Sequence, residues 1–451
     1  MRNPDFLLES KTAKSLHEHC KNLPVIDYHC HLSPKEIYED KEFDNIGEMW
    51  LRYDHYKWRL MRICGIPEEK ITGNAPWQEK FRAYASALQY AAGNPLYHWS
   101  HMELSEYFGI DKTLSENTAD EIWNEANRHI AEEHLSPVKL LVRSGVEIVC
   151  TTDEPTDPLE WHIKLREKGL PFRVLPTFRT DKILLMKAEG YPAYIKKLSE
   201  ISGVEISDLD TLKQAIERRL LFFIENNCRF TDLGIQYFPD RIYEDGKSDE
   251  IFKTLLSGGF ISDEDYLGVL GNLIVFLGGL YKKYNLVMQW HFAVARNVNT
   301  KLYSELGADS GLDCVADPIK GRDLIGILDA INNRSGMPDM ILYSLNSSNS
   351  AQIASIAGAF PNTRLGAAWW FCDHKRGIVE QLQVVSEYGS LGSFPGMVTD
   401  SRSFLSYVRH DYFRRILCSY VASLTEKNEY DINLAYRLVE KICYYNIKQL
   451  I

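Results

Sequence analysis

The sequence has no long hydrophobic run. Its longest uncharged stretch, from Tyr266 to Tyr281, contains Asn272 and four glycines, whereas a helix that spans a bilayer takes about 20 apolar residues. The N-terminal residues, MRNPDFLLESKTAK, contain no apolar segment of the signal-peptide type. These absences predict a soluble, cytoplasmic protein without a membrane partner.

Positive charge is scarce relative to negative charge. The 451 residues include 51 Lys and Arg against 62 Asp and Glu, a formal net charge of −11, which argues against a general nucleic-acid partner. The nine cysteines form no C-x-x-C pair, and an odd number of scattered cysteines is typical of reduced thiols in a cytosolic protein. With 45% hydrophobic and 25% charged residues, the composition is that of an ordinary folded protein.

Short β-rich runs alternate with longer helical patterns beyond residue 140, which predicts βα units and a parallel sheet. With a first strand before that point, the predicted strands are 24–31, 146–152, 172–179, 228–235, 286–292, 340–346, 363–371 and 396–402. Eight parallel strands close a (β/α)8 TIM barrel, an α/β fold whose active sites lie at the carboxyl ends of the strands. An open, doubly wound sheet is the alternative, but no Gly-rich phosphate loop supports it.

The region after the first strand does not continue the alternation of strand and helix patterns, because it is full of helical patterns and aromatic residues. We therefore expect residues 1–31 to form an N-terminal helix and barrel strand 1, 32–144 a helical insertion subdomain, and 145–451 the remainder of the barrel. In the insertion, His55 and Tyr56 offer proton-transfer groups beside basic residues. An insertion at the catalytic end of a barrel can fold back over the site as a lid. The alternative is an amphipathic helix that uses its aromatic residues as core.

Two His-x-His pairs occur, and their local patterns differ. In AKSLHEHCKNL the spacing of apolar residues predicts a helix, in which His17 and His19 point about 200° apart and cannot easily hold one ion. In PVIDYHCH the β-branched and aromatic residues predict a buried strand that ends in a loop. Because alternate strand residues share a face, His29 and His31 can converge on one metal ion.

A mononuclear metal site takes about three protein ligands and keeps one open position. His29, His31 and Asp400 meet this need, because the first and last strands are neighbours in a closed barrel. His291, near the end of the fifth strand, is a further ligand, a substrate contact or a structural histidine. The middle strands offer Asp232 but no lysine at a bridging position, so a single metal ion is expected.

Two arginines point to an anionic substrate. Arg179 and Arg402 lie at predicted strand ends in an acidic protein, and a fixed guanidinium can bind a carboxylate through two hydrogen bonds. Arg179 could instead pair with Asp181, and Arg402 with Asp400. If both arginines face the cavity, the substrate is a small anion.

Along essentially its whole length, the sequence resembles the uronate isomerase family of the amidohydrolase superfamily. The motifs that carry the resemblance are DYHCHL at 27–32, DHYKWRLMR at 54–62, PTFRTDK at 176–182, TDLG at 231–234, QWHFAVARN at 289–297, WWFCD at 369–373 and TDSRSF at 399–404. The His-x-His pair alone would indicate only the superfamily. The aromatic and basic segment together with TDSRS is much more specific.

The resemblance implies an aldose–ketose isomerase that converts D-glucuronate to D-fructuronate and D-galacturonate to D-tagaturonate. It implies one divalent metal ion, expected to be zinc, held by His29, His31 and Asp400. It also implies substrate contacts from His55, Tyr56, Arg179, Asp232, His291 and Arg402. The expected partners are a hexuronate substrate and, in a homo-oligomer, further copies of the chain.

Moving a proton from C2 to C1 through a cis-enediol needs a base near the carbon and a donor to the oxygen that gains negative charge. Asp400 is the candidate base, and Arg402, Tyr56 and His55 are the candidate stabilisers. A metal-bound carboxylate is a weak base, so Asp400 cannot hold an ion tightly and accept a proton without a change in coordination. Two other functions stay open here: a metal-dependent hydrolase of an anionic amide or lactone, and a sugar-acid-binding protein without catalysis.

Overall fold

Strands occur in seven of the eight predicted runs. The computed structural model describes residues 4–451. Its strands are β1 Val25–Asp27, β2 Val146–Cys150, β3 Arg173–Leu175, β4 Phe178–Arg179, β5 Phe230–Ile235, β6 Val287–Phe292, β7 Val294–Ala295, β8 Cys314–Val315, β9 Asp339–Ser344 and β10 Thr363–Leu365.

The longer strands pair in parallel, as βα units require. β1, β2 and β3 form one sheet in that order, a second sheet has the order β10-β9-β6-β5-β4, and the short β7 and β8 pair antiparallel. Backbone hydrogen bonds join the two parallel sheets: Thr151 N donates to Leu175 O, and Arg179 N donates to Asp153 O. These pairings confirm an α/β fold built on parallel sheets.

The predicted strand 172–179 is interrupted near its middle. Pro176 and Thr177 separate β3 from β4, because a proline has no N–H to donate to a ladder. Thr177 N donates instead to a side-chain oxygen, Oδ2 of Asp153, at 3.1 Å. The interruption therefore keeps its backbone donor satisfied.

The prediction of a strand at 396–402 is wrong. Asp400 has a φ of 47°, a left-handed conformation that a regular strand does not contain. The segment nevertheless runs beside the chain that follows β1: Asp400 N donates to His29 O, and His31 N donates to Ser401 O. It therefore occupies the expected place next to the first strand without forming a ladder.

Helices fill the connections, and α2 to α8 lie between β1 and β2. In residues 4–451 the α-helices are α1 Lys11–Cys20, α2 Pro34–Glu39, α3 Ile46–Leu51, α4 His55–Ile63, α5 Trp77–Leu88, α6 Pro95–Phe108, α7 Ala119–Glu133, α8 Pro137–Arg143, α9 Glu160–Lys168, α10 Asp181–Leu184, α11 Tyr191–Ser202, α12 Leu209–Glu225, α13 Asp245–Leu256, α14 Asp263–Lys283, α15 Thr300–Leu306, α16 Gly321–Ser335, α17 Ser350–Ala359, α18 Lys375–Tyr388, α19 Val408–Glu426, α20 Ile432–Glu440 and α21 Asn446–Lys448. None of these helices combines the length and the apolar character that a membrane-spanning segment needs.

Alternate side chains of the strands enter two separate apolar clusters. The smaller cluster collects one face of six strands, through Ile26, Ile148, Cys150, Leu175, Phe230, Val287, Ile341 and Tyr343. The larger cluster contains the intervening strand residues and the helices, and includes Val25, Val149, Met288 and Leu342. Because successive strand residues point to opposite faces, the two clusters lie on opposite faces of the strands; Ile447 of α21 also belongs to the smaller cluster.

Candidate active site

His29 and His31 lie just beyond the end of β1, in chain that hydrogen bonds hold from two sides. Cys30 N donates to Cys150 O of β2, and His31 N donates to Ser401 O. The chain is thus anchored to the second strand at one residue and to the segment 396–402 at the next. Both histidines are held in place although they follow the strand rather than belong to it.

A buried carboxylate on β1 sets the position of Asp400. Asp27 is fully buried and accepts hydrogen bonds from Thr399 N at 2.9 Å and Thr399 Oγ1 at 2.5 Å. Burial raises the pKa of Asp27 to about 6, so its carboxylate is largely ionised at neutral pH. Asp400 follows Thr399 directly, so Asp27 holds it next to the histidines.

The three predicted metal ligands converge. Nε2 of His29 lies 3.3 Å, and Nε2 of His31 3.1 Å, from the same oxygen, Oδ1 of Asp400. Neither ring nitrogen of His29 makes a hydrogen bond to any described residue, although the side chain is buried. Among residues 4–451, these are the three that bring His, Cys, Asp or Glu ligand atoms within 4.8 Å of one another. A buried imidazole without a hydrogen bond, beside a shared carboxylate, fits a divalent cation.

The protonation states of this cluster also suit a metal ion. Burial lowers the pKa of His31 to about 4, which leaves its imidazole neutral. Burial alone would raise the pKa of Asp400, but contacts with His29 and His31 hold it well below its usual range. A neutral imidazole and an ionised carboxylate are the forms that bind metal.

Trp369 contacts the same cluster. Its Nε1 donates to Oδ2 of Asp400 at 2.7 Å, and its ring lies 4.4 Å from the His29 ring and 5.1 Å from the His291 ring, measured between centroids. Both oxygens of Asp400 are therefore engaged, one by the imidazoles and the other by the indole.

Asp232, on β5, contacts predicted site residues on both neighbouring strands and on the chain after β1. Its Oδ1 lies 3.3 Å from His291 Nε2 and 3.9 Å from His29 Nδ1, and its Oδ2 lies 3.3 Å from an Nη of Arg179. Burial opposes ionisation, but His291 and Arg179 hold the pKa of Asp232 well below its usual range. Arg179 also donates two hydrogen bonds to Asp181, at 3.0 and 2.8 Å, which is the pairing that the sequence left open.

Asp54 places His55 and Tyr56 in the first turn of α4. Its side chain caps the helix by accepting hydrogen bonds from Tyr56 N at 3.0 Å and Lys57 N at 3.2 Å. The rings of His55 and Tyr56 stack with centroids 5.3 Å apart, and His55 Nδ1 lies 3.5 Å from an Nη of Arg402. Burial, reinforced by Arg402, lowers the pKa of His55. These contacts place the first turn of α4 beside Arg402.

Arg402 pairs with Asp309, not with Asp400, which the sequence offered as its alternative partner. Its Nη lies 3.1 Å from Oδ2 of Asp309, rather than beside Asp400. Asp309 has a φ of 59° in the loop between α15 and β8, and its side chain is 63% exposed. Arginines 59 and 62 of α4 hold this loop by donating to backbone carbonyls of Ser310, Gly311 and Asp313.

The nine predicted site residues thus form two groups. Six of them contact one another around Asp400 and Asp232, namely His29, His31, Arg179, Asp232, His291 and Asp400. The other three, His55, Tyr56 and Arg402, contact one another through His55, and Arg402 lies two residues after Asp400 in the chain. A family model described as glucuronate isomerase matches residues 1–451. The chain belongs to the glucuronate isomerase family. Uronate isomerases of Caldanaerobacter subterraneus and Endomicrobium trichonymphae are 45% and 44% identical to it, over 99% and 98% of this chain and 98% and 97% of theirs. The crystal structure of a uronate isomerase from Thermotoga maritima matches with a TM-score of 0.96 and 34% identity, and the match covers 100% of this chain and 99% of that one.

Membership of the glucuronate isomerase family confirms the function predicted from the seven motifs, that of a uronate isomerase. It decides for an isomerase over the hydrolase and the non-catalytic binding protein. Sequence reasoning assigned no role to several residues that contact predicted ones, among them Trp369, Asp373 and Asp309. The WWFCD motif was a signal for the first two, but it did not say what they contact.

Proposed function

We propose that this chain interconverts D-glucuronate with D-fructuronate, and D-galacturonate with D-tagaturonate, through a cis-enediol. One observation carries the proposal. Asp400, an ionised carboxylate that two imidazoles share, stands two residues before Arg402, whose guanidinium reaches His55. An aldose–ketose isomerase needs this combination, a base for a proton on carbon and a cation for the adjacent oxygen.

The anionic substrate is bound, in this proposal, by Arg179, Asp232, His291 and Arg402. A guanidinium has five N–H donors, so the two bonds from Arg179 to Asp181 leave others for a substrate oxygen. The partner of Arg402 is an exposed aspartate, and exposed ion pairs are weak, at about 0–1 kcal/mol. A substrate carboxylate or a developing oxyanion can therefore replace Asp309 at little cost.

We assign one divalent metal ion, zinc, to His29, His31 and Asp400. The two imidazoles and the carboxylate supply three ligands and leave a position for substrate, as catalytic zinc sites do. When bound, such an ion acts as a Lewis acid toward substrate oxygens. Trp369 supports this site by holding the second oxygen of Asp400 in a hydrogen bond.

Asp400 is the group that removes the proton from C2 and returns it to C1. Its contacts with the two histidines keep it ionised at neutral pH and at the same time make it a weak base. It accepts the proton as those contacts loosen. Arg402, with His55 beside it, faces the oxygen that gains negative charge in the cis-enediol, and Tyr56 lies next to His55.

We also propose that the parallel strands close into a (β/α)8 barrel, with residues 1–31 as helix and first strand, 32–144 as the helical insertion and 145–451 as the remainder. Two observations support closure. The segment 396–402 is bonded to the chain after β1, and one apolar cluster collects one face of six strands. A cytoplasmic location is supported by the nine free thiols, and assembly as a homo-oligomer stays a prediction.

The test is turnover of both uronates in deuterated water. We expect ketose to form, with some deuterium at C1, because a proton that passes through Asp400 can exchange with solvent before it returns to carbon. Treatment with a chelator should lower the rate, and added Zn²⁺ should restore it. Proton NMR of the ketose measures product and label together.

The control is Asp400→Asn, which keeps the shape of the side chain but removes its charge. Isomerisation and deuterium incorporation should both disappear in this variant. Complete retention of hydrogen at C1 over many turnovers would favour a hydride shift over the enediol. Normal activity of Asp400→Asn would remove this residue from the reaction.

A further inference from the structure

Asp373 is a buried carboxylate directly behind Tyr56. The Tyr56 hydroxyl donates to Oδ2 of Asp373 at 3.0 Å, and Asp373 is 5% exposed. The turn before it contains Phe371 at a φ of 62°, and Trp370 in the same turn contacts the rings of both His55 and Tyr56. The turn thus delivers a carboxylate to the hydroxyl of a proposed catalytic residue.

Arg409 balances the negative charge of Asp373. Arg409 is 1% exposed, and its guanidinium lies 5.3 Å from the Tyr56 ring centroid and 4.0 Å from that of Trp99. One of its Nη atoms donates to Thr399 O at 3.2 Å. Burial raises the pKa of Asp373 to about 6, with Arg409 opposing that rise. Asp373 is therefore mainly ionised at neutral pH and can accept the Tyr56 hydrogen.

The direction of this hydrogen bond determines what Tyr56 can do. A phenol has one O–H donor, and its oxygen can also accept. Because the hydrogen of Tyr56 points at Asp373, the phenol oxygen presents a lone pair, not a hydrogen, to any group on its other side. Burial and the neighbouring Asp373 also raise the pKa of Tyr56 well above its usual value, so the phenol keeps its proton in the resting enzyme.

We propose that Asp373 is a positioning residue for the isomerisation, which holds the hydroxyl hydrogen of Tyr56 so that the phenol oxygen can accept the proton of a substrate hydroxyl. The inference rests on the proposed function, because it takes Tyr56 to be part of the reaction. It assigns to Tyr56 a hydrogen-bond partner, Asp373, that makes the phenol oxygen a proton acceptor rather than a donor toward the substrate.

The oxygen-bound proton then has a defined route. Aldose-to-ketose conversion removes hydrogen from the hydroxyl at C2 and adds hydrogen to the oxygen at C1. As the C2 hydroxyl gives its proton to the Tyr56 oxygen, the original Tyr56 proton passes to Asp373. The reverse transfers deliver one proton to the oxygen at C1 and restore Tyr56 and Asp373. No net charge or electron is gained or lost by the protein.

A purely structural role for Asp373 is the competing explanation. Asp373 could serve only to neutralise the buried Arg409. In that case its removal should impair the enzyme equally whether or not residue 56 carries a hydroxyl. The two explanations therefore differ in the coupling between residues 56 and 373.

A double-mutant cycle measures this coupling. Wild type, Tyr56→Phe, Asp373→Asn and the double variant are compared for kcat and KM on D-glucuronate, with bound metal and Tm checked for each. Asp373→Asn should lower kcat about 100-fold, within the range of acid–base groups, and change KM less than about threefold. In the Tyr56→Phe background, the same substitution should lower kcat by less than about threefold, because no hydroxyl remains to be positioned. Asp373→Glu, which keeps a carboxylate, should recover part of the lost kcat.

Asp153→Asn is the matched control. Asp153 is a comparably buried acid, 6% exposed, beyond the end of β2, and it accepts from Thr151 Oγ1 and Thr177 N rather than from a proposed catalytic group. Burial raises the pKa of Asp153 to about 8, so this control tests the loss of a buried acid rather than the loss of a charge. Its substitution should leave kcat within about threefold of wild type. A loss as large as that of Asp373→Asn would mean that any buried carboxylate has this effect, and would overturn the proposal.

Two further outcomes would also overturn it. One is an equal loss of kcat from Asp373→Asn in both backgrounds, and the other is unchanged kcat in Asp373→Asn while Tyr56→Phe is impaired. If Asp373→Asn does not fold, Asp373→Glu takes its place in the cycle, and the same coupling is required. A wild-type protein inactive on both uronates contradicts the proposed function itself, whereas an active wild type with an uncoupled cycle contradicts only the role of Asp373.

Discussion

The chain carries two His-x-His pairs, and their surroundings differ sharply. In α1, Nε2 of His17 lies 2.6 Å from a carboxylate oxygen of Asp411, and Nε2 of His19 lies 2.9 Å from one of Glu440. These partners belong to different helices, α19 and α20. Each histidine of this pair therefore contacts a different carboxylate on a different helix.

In the second pair, both imidazoles approach the same carboxylate oxygen. Nε2 of His29 and Nε2 of His31 approach Oδ1 of Asp400. These histidines follow β1 in chain that is bonded to β2 at Cys30 and to Ser401 at His31, whereas helix geometry separates alternate side chains by about 200°. In this molecule the His-x-His spacing brings two imidazoles to one point only outside the helix, where a third residue from elsewhere in the chain, Asp400, meets both rings.

The largest effect is expected when the converging pair is broken. His31→Ala should reduce bound metal to less than about 0.1 ion per chain and lower kcat by about 1,000-fold, because a catalytic metal contributes several kcal/mol of transition-state stabilisation. Metal analysis and steady-state kinetics measure both effects. His17→Ala is the control and should keep metal and kcat; two equivalents of metal per active wild-type chain would contradict the single site.

An intermediate effect is expected from the residue that holds the third ligand. Asp27→Asn replaces one acceptor of the Thr399 bonds by an amide N–H, so Asp400 should shift from the histidines. Groups that orient metal ligands affect metal affinity about 10–100-fold, and we expect a loss of that size in a zinc titration. Asp411→Asn, which alters the carboxylate partner of His17, should leave zinc affinity unchanged. Equal affinity in Asp27→Asn and wild type would show that Asp400 does not depend on Asp27.

The smallest effect is expected in the helical pair, and it concerns stability. His17 is buried, so His17→Ala should lower the free energy of unfolding by about 1–3 kcal/mol, whereas His19→Ala removes an exposed contact and should lower it by less than about 1 kcal/mol. Urea unfolding measures both values. A loss of kcat in properly folded His17→Ala would show that the two pairs are not independent.

The His17 effect should also depend on pH. Burial alone would raise the pKa of Asp411, but His17 and Arg415 hold it below its usual value. A lowered carboxyl pKa stabilises the fold above the unfolded pKa of about 3.9, and that stabilisation is lost as the pH falls through the folded value. The difference between wild type and His17→Ala should therefore shrink below about pH 4.

Elements with a regular hydrophobic period could be predicted from the sequence, whereas the backbone paths of loops could not. Alternation and spacing located most strands, because strand geometry determines which side chains share a face. They also led to the prediction that His29, His31 and Asp400 converge, although both histidines follow β1 and Asp400 lies outside any strand. The failure at 396–402 comes from the left-handed backbone of Asp400, which a sequence pattern does not reveal for an aspartate.

The ion-pair and hydrogen-bond partners of individual side chains were also poorly predicted from the sequence. Asp400 was the alternative partner considered for Arg402, but Arg402 pairs with Asp309, 93 residues away in the sequence, because a loop held by α4 brings that aspartate to it. The bonds from Trp369 to Asp400 and from Tyr56 to Asp373 likewise join separate segments. Such contacts depend on how loops fold over strand ends, and one sequence contains no direct signal for them.

The bonds between Asp27 and Thr399 join residues that are 372 positions apart in the chain. At a synthesis rate of about 5–20 residues per second, roughly 20–70 s separate the appearance of these two residues at the ribosome. For that time His29 and His31 exist without the carboxylate that completes their cluster. A nascent chain that stops before residue 400 lacks this carboxylate, so it cannot form the proposed metal site.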